Sequence, residues 1–423
     1  MKNKIQCETA LFEYLEVKMI NPIEKIWCRV YQGAFRIVSP LLPWRMPELL
    51  EGEDSLKKLP EFIKAKTSCK KMLVVTDKGL MSLGLLNDMF ASLDDAGIGY
   101  VVYDETVPNP TIGNIEDAVK LYNDNNCDGI IAFGGGSPMD CAKGVGARIA
   151  RPNKEIPKMK GLLKVLKKLP PFFAVPTTAG TGSEATLAAV ISNPETHEKY
   201  PMNDPSLIPH YAVLDPKITV KLPKHITSTT GVDALTHAVE GYIGQSNTKL
   251  TAEMSEKATK LIFDNLKVAY DEPENIDARN AMQLAAYYAG IAFTRSYVGY
   301  VHAIAHTLGG FYGIPHGLAN AIILPHVLDY YGETAYKALA KLADIVGIKG
   351  ESEAEKAKAF IQAVRDMNAY MGIPEYIKAD TIKDEDIPTM VKRALKEANP
   401  LYPVPKFMGV EEMTAMYYII QGK

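Results

Sequence analysis

A chain of 423 residues is too long for one ordinary hydrophobic core and fits two domains of about 200 residues each. Its 47% hydrophobic and 23% charged content is that of a water-soluble globular protein, and a net charge of −3 without interleaved basic and aromatic residues argues against nucleic acid as a partner. An ordinary membrane-spanning helix is excluded, because there is no apolar run of roughly 18 residues. Glu13, Glu16 and Lys18 break any signal-peptide core, and five cysteines without a Cys-x-x-Cys pair read as reduced thiols of a cytoplasmic protein.

Residues 1–68 read as an N-terminal extension or arm leading into the first domain. Ala34 to Trp44 could dock as an extended arm or lie on a partner subunit. A membrane-surface helix is disfavoured there because the basic and apolar residues show no sustained helical period.

From Lys70 the pattern is regular. Short β-branched and aromatic runs at 72–75, 100–103, 129–133 and 172–175 alternate with helical patterns near 79–96, 115–126 and 138–150. Strand, helix, strand at about 30-residue spacing predicts βαβ units and a parallel sheet. A turn signal at Asn193 to Thr196 suggests a hairpin added to that sheet. Lys154, Lys158, Lys160, Lys164, Lys167 and Lys168 are most simply a solvated face. Past Pro223 only helices are expected, over 228–244, 249–268, 276–293, 299–310, 317–331, 333–346, 352–371 and 383–398. The expected division is therefore 1–68, an α/β nucleotide-binding domain over 69–221, and a helical domain over 222–423.

Two loops at strand ends suit a dinucleotide. Gly134-Gly-Gly-Ser-Pro-Met-Asp140 follows the third strand, with Ser137 suited to a helix cap and Pro138 to a first turn. Glycines allow close backbone approach to phosphate, and a helix N-terminus offers free N–H groups to a diphosphate. Pro176-Thr-Thr-Ala-Gly-Thr-Gly-Ser-Glu184 follows the fourth strand in the same way. Asp77, just after the first strand, is placed to bind a ribose and to repel a 2′-phosphate, which favours NAD over NADP. The glycines do not follow the first strand, so the order departs from the G-x-G-x-x-G fingerprint.

The helical half carries the spacing of a metal site. Asp233 and His237 are four residues apart, as are His302 and His306, and His316 follows a Gly-Ile-Pro turn. Residues four apart share one helix face, so each pair can present two ligands to one point. One carboxylate with up to three imidazoles suits Fe(II) or Zn(II), and spacing alone does not choose between His302 and His306. His197, His210, His225 and His326 lack such partners and read as structural.

Taken together, the two glycine-rich motifs, Gly231-Val-Asp-Ala-Leu-Thr-His-Ala-Val-Glu-Gly-Tyr242 and His302-Ala-Ile-Ala-His-Thr-Leu-Gly-Gly-Phe-Tyr-Gly-Ile-Pro-His-Gly317 resemble the iron-containing (group III) alcohol dehydrogenases over roughly residues 70 to 420. The resemblance implies an N-terminal α/β nucleotide domain of dehydroquinate synthase-like fold and an all-α C-terminal domain. It implies metal ligands Asp233, His237, His302 and His316, and it places His306 near the nicotinamide as a proton relay. Cofactor contacts carry over to Asp77, Asn109, Gly135, Gly136, Ser137, Thr177, Thr178, Ser183 and Lys199, and pocket-wall positions to Phe293 and Val190. The expected function is hydride transfer between a small alcohol or aldehyde and NAD(H), with Fe(II) or alternatively Zn(II), in a homodimer or higher homo-oligomer. A glycerol dehydrogenase-like polyol oxidoreductase is the alternative on the same scaffold, and a non-catalytic NAD-binding protein the alternative of another class. Leu187 to Val190 is small and apolar where some hydroxyaldehyde-reducing relatives carry a polar side chain.

Overall fold

The computed structural model describes residues 22–194, 198–378 and 381–423. Packing divides the chain into two compact units. One comprises Leu41–Leu235 and Lys257–Thr294; the other comprises the segment up to Pro40, Thr236–Glu256 and Arg295–Lys423.

The first unit is built on a parallel sheet. Its strands are β1 (Glu48–Glu51), β2 (Lys71–Val75), β3 (Gly99–Tyr103), β4 (Gly129–Gly134), β6 (Phe172–Pro176) and β9 (Tyr211–Leu214), in the order β1-β9-β6-β4-β2-β3. Every pairing is parallel. Helices cover both faces, so the strands are continuously apolar, and alternate residues feed two cores. Leu73, Ile130, Ala132 and Phe172 join Ile115, Ala118 and Val145 of α5 (Ile112–Asp124) and α6 (Gly136–Ala150). Met72, Val74, Ile131 and Phe173 join Leu59, Ile63 and Met89 of α2 (Ser55–Lys66) and α4 (Asn87–Asp95). The helix expected over 79–96 is two, α3 (Lys78–Ser82) and α4, because Gly84 adopts φ +66 between them.

Three expectations need correction. β1 and α2 fall in the stretch read as an arm, yet β1 hydrogen-bonds in register to β9 as the sheet edge. The hairpin forms, as β7 (Ala188–Asn193) and β8 (Glu198–Asn203), but it pairs with β5 (Gly161–Leu162) in a separate three-stranded sheet. Part of its turn lies outside the described residues. Finally, Pro22–Val38 is an α-helix, α1, and not an extended arm.

After β9 only helices occur among the described residues: α7 (Lys224–Ile243), α8 (Lys249–Asp271), α9 (Ile276–Ser296), α10 (Tyr300–Tyr312), α11 (His316–Tyr331), α12 (Glu333–Ile345), α13 (Glu353–Tyr370), α14 (Ile387–Ala398) and α15 (Val410–Ile419). In the second unit, α1 docks by its polar side. Arg29 donates to the carbonyls of Val404 and Pro405, and Gln32 to those of Pro400 and Tyr402. The opposite side exposes Ile26, Trp27, Val30 and Ile37 at helical spacing. The period was hidden in the sequence because the buried side of this helix is carried by Cys28 and Gln32.

Candidate active site

Gly134 ends β4 with φ +154, and a Cβ there would stand 2.5 Å from Pro138 Cγ. Only glycine lets the chain turn this tightly into α6. Gly135 caps α6, and Gly136 and Ser137 form its first turn, so their N–H groups are among those a helix start leaves without an internal partner. The second loop lies beside the first, with the Thr177 N–H donating to the Gly134 carbonyl at 3.1 Å. A Cβ on Gly135 would sit 3.6 Å from the Thr178 side chain.

Buried chemistry holds the loop. Lys143, fully buried in α6, donates to Ser183 Oγ at 3.0 Å, Thr186 Oγ1 at 2.9 Å and the Ala188 carbonyl at 2.8 Å. Burial lowers its pKa to about 8, against the pull of Asp140 and Glu184, while burial raises Asp140 to about 6 and Glu184 to about 7. Asp140 accepts from the Val190 N–H at 3.1 Å, which ties β7 to α6. Sequence reading quoted Asp140 and Glu184 without roles and missed Lys143; the signal was a lysine inside an apolar helix three residues after a carboxylate.

Asn109, at φ +58, gives its N–H to Ser137 Oγ at 3.2 Å and accepts from Lys199 Nζ at 2.5 Å. Asp77 caps α3, its Oδ1 accepting from the Leu80 N–H at 2.9 Å. That carboxylate therefore has a structural task whatever else it binds. Phe293 and Val190 are both half-buried, on α9 and β7.

The histidine helices form a second constellation. Asp233 and His237 lie one turn apart on α7. Gly313, at φ +66, ends α10 and turns the chain so that His316 opens α11. One donor atom from each of Asp233, His237, His302 and His316 lies within 4.8 Å of all the others. The His237 and His302 rings stack at 4.5 Å, and the His316 ring is 5.3 Å from His302.

A carboxylate and three imidazoles, mostly buried, fit a divalent cation of intermediate softness. His302 is prepared for it. Its Nδ1 is 2.6 Å from Glu240 Oε2, so Nδ1–H donates to the carboxylate and the Nε2 lone pair is left to accept, here from the Asn320 amide at 3.2 Å. Burial, followed by the neighbouring imidazoles, holds its pKa well below the ordinary histidine value, so the ring stays neutral. Burial pushes Glu240 up to about 7, against the backbone N–H groups that donate to it, including that of Val301 at 2.9 Å. Gly299 makes room for this carboxylate, since a Cβ there would come 2.6 Å from Glu240 Oε1. Glu240 went unassigned in the sequence although it is three residues after His237.

His306 is outside the donor set. Its ring stacks on His316 at 5.1 Å, and its Nδ1 is 2.6 Å from Glu397 Oε1 on α14. Of the histidines read as structural, His210 is largely buried with its backbone N–H donating to the Phe172 carbonyl, and His326 stacks on Tyr376. His225 is exposed, and His197 lies outside the described residues.

Known proteins resemble this chain over most of its length. The family model described as iron-containing alcohol dehydrogenase matches residues 47–216, and that of the family's C-terminal region matches 227–420. The chain is 37% identical over 352 residues to 1,3-propanediol dehydrogenase of Klebsiella pneumoniae, covering 82% of this chain and 90% of that protein. The solved structure of an alcohol dehydrogenase from Oenococcus oeni superposes with a TM-score of 0.85 at 36% identity, over 90% of this chain and 100% of the other. A sulfoacetaldehyde reductase from Bifidobacterium kashiwanohense, solved in complex with NAD+, gives 0.81 at 26% identity over 90% and 99% of the two chains.

Proposed function

Since this chain belongs to the iron-containing alcohol dehydrogenase family and is an oxidoreductase acting on alcohols and aldehydes, we propose how its own residues divide that work. Asp233, His237, His302 and His316 would hold a divalent cation, Fe(II) or alternatively Zn(II), whose charge makes an alcohol oxygen more acidic and an aldehyde carbonyl more electrophilic. The observation that carries this reading is the four-donor cluster itself, with His302 held neutral and oriented by Glu240.

In this reading the α/β part, expected over 69–221 and extended by β1 and α2, would bind NAD(H), and the helices of 222–423 would hold the metal. NAD(H) carries the hydride. Gly135, Gly136 and Ser137 at the start of α6 present N–H groups to the diphosphate, with Thr177, Thr178 and Ser183 from the adjoining loop. Asn109 and Lys199, already bonded to each other, close over the same edge, and Asp77 receives the ribose hydroxyls. Phe293 and Val190 limit the substrate to small alcohols and aldehydes.

His306 takes the hydroxyl proton in alcohol oxidation and returns it in aldehyde reduction. It suits the task because its imidazole is nearly half exposed, so the proton can reach water. A cytoplasmic location belongs to the same proposal, supported by the four free, buried cysteines among the described residues. So does a homo-oligomer, supported by the exposed apolar row on α1. Metal analysis and NADH-linked turnover of His302→Ala and His306→Ala test the division of roles. His302→Ala should lose metal and activity together, whereas His306→Ala should keep about one metal per chain and lose rate. Equal metal loss in both would make His306 a ligand.

A further inference from the structure

Glu397 is not in the donor cluster, and its position is electrostatically awkward. It occupies the last turn of α14, where the carbonyl ends of the helix repel a carboxylate. That repulsion, about 0.3 to 1 kcal/mol, is something nearby donors can offset. Two donors do: His306 Nδ1 at 2.6 Å and the Tyr402 hydroxyl at 2.8 Å, both on Oε1. Burial tends to raise the pKa of this carboxyl, but the charge and hydrogen bond of His306 and the Tyr402 bond together hold it below the ordinary carboxylate range.

The surroundings fix this arrangement. Helices α10 and α14 pack together, with the Arg393 guanidinium 4.8 Å above the Phe311 ring. The segment bearing Tyr402 is gripped through its carbonyl by Gln32 Nε2 of α1 at 2.9 Å. Glu397 thus has a fixed oxygen aimed at one nitrogen of one imidazole.

We propose that Glu397, braced by Tyr402, is a positioning residue that holds His306 in the tautomer with its Nε2 lone pair free to accept the substrate proton. An ionised carboxylate can only accept, so Nδ1 must be the protonated nitrogen. In alcohol oxidation the hydroxyl proton would pass to Nε2, with NAD+ supplying the acceptor for the hydride that leaves the carbon, so that aldehyde, NADH and an imidazolium would balance the alcohol and NAD+ consumed. The imidazolium would then yield its Nε2 proton to water. Throughout, the Nδ1 proton stays on the Glu397 side, so the ring does not turn between cycles. The chain therefore uses two histidine–carboxylate pairs for different ends: Glu240 prepares a metal ligand and Glu397 prepares a proton carrier.

This inference rests on the proton-relay reading of His306, and the test separates the two. Metal-loaded wild type, Glu397→Ala, Glu397→Gln and His306→Ala are compared in kcat, KM, metal per chain and response to added acetate. Glu397→Ala should lower kcat about 10- to 100-fold, less than or equal to the ~10²- to 10⁴-fold expected for losing the imidazole. KM and metal content should stay near wild type, and acetate should restore part of the rate in Glu397→Ala but none in His306→Ala. A second readout needs no turnover. The low-field proton resonance of the short Nδ1–H bond should vanish from His306→Ala and shift or vanish in Glu397→Gln, which also serves if the alanine variant does not fold.

Wild-type kcat in Glu397→Ala beside a slow His306→Ala overturns the role of Glu397 and leaves the relay standing. Wild-type kcat in His306→Ala overturns the relay itself. A loss in Glu397→Ala that comes with metal loss and is not relieved by acetate also overturns the proposal, by making the pair a structural tie.

Discussion

Replacing Glu240 with alanine removes two kinds of interaction at once, one to an imidazole and one to backbone N–H groups, and their costs fall on different observables. His302 loses the acceptor for its Nδ1 proton, now 2.6 Å away, and with it the fixed tautomer that leaves Nε2 free. Removing such an outer partner typically costs 10- to 100-fold in metal affinity, or about 1.4 to 2.7 kcal/mol. Separately, the Val301 N–H in the first turn of α10 loses its acceptor in a buried setting, which costs about 1 to 3 kcal/mol of stability. Chelator competition on the folded protein reads the first cost, and the thermal midpoint of the metal-free protein reads the second. Glu240→Gln should fall between, because an amide of the same shape keeps one oxygen to accept from part of these donors. Wild-type metal affinity in Glu240→Ala would refute the reasoning, since it would mean that packing alone orients His302.

Three further outcomes follow from particular contacts. Asp77→Ser keeps an oxygen to cap α3 but removes the charge, so a preference for NAD(H) over NADP(H) of about tenfold or more, roughly 1.4 kcal/mol, should narrow without loss of stability; steady-state kinetics with both cofactors decides it, and an unchanged ratio would take Asp77 away from the ribose. Gly290→Ala would bring a Cβ within 2.6 Å of the Gly182 carbonyl and 3.1 Å of its Cα, so the variant should lose about 1 to 3 kcal/mol and bind NAD more weakly; wild-type melting and cofactor affinity together would contradict it. Burial, then Arg45 and Lys168, lower the pKa of His210 to about 3 from an ordinary 6.5, so the unfolded chain binds the extra proton first and stability should fall as pH drops from about 6.5 toward 3. The contribution is at most a few kcal/mol, and His210→Gln should flatten that slope in thermal melts; an equal slope in both proteins would mean that other groups govern it.

The parallel sheet could be read from the sequence because buried strands are short apolar runs between helical patterns, and β2, β3, β4 and β6 lie within a residue or two of their expected places. β1 could not, since four residues at a sheet edge carry no period, and their place depends on β9, some 160 residues later. The Asp233–His237 donor pair was legible because helical spacing is local: the two need only one turn of α7. Choosing His302 over His306 required knowing where α10 points, which spacing does not contain. Glu397 was invisible for the same reason, as its partner is 91 residues away and no local pattern marks a carboxylate at a helix end. Lys143 was missed because a buried lysine defies composition rules until its three acceptors are seen.

The central claim is that the four-donor cluster holds the cation on which hydride transfer depends. Aldehyde-dependent oxidation of NADH, followed before chelation, after chelation, and after Fe(II) or Zn(II) is returned to the same sample, tests it most directly. Turnover should vanish on chelation with the fold largely retained by circular dichroism, and should return with the metal in wild type but not in His302→Ala. Full turnover in a preparation shown to be metal-free would contradict the account.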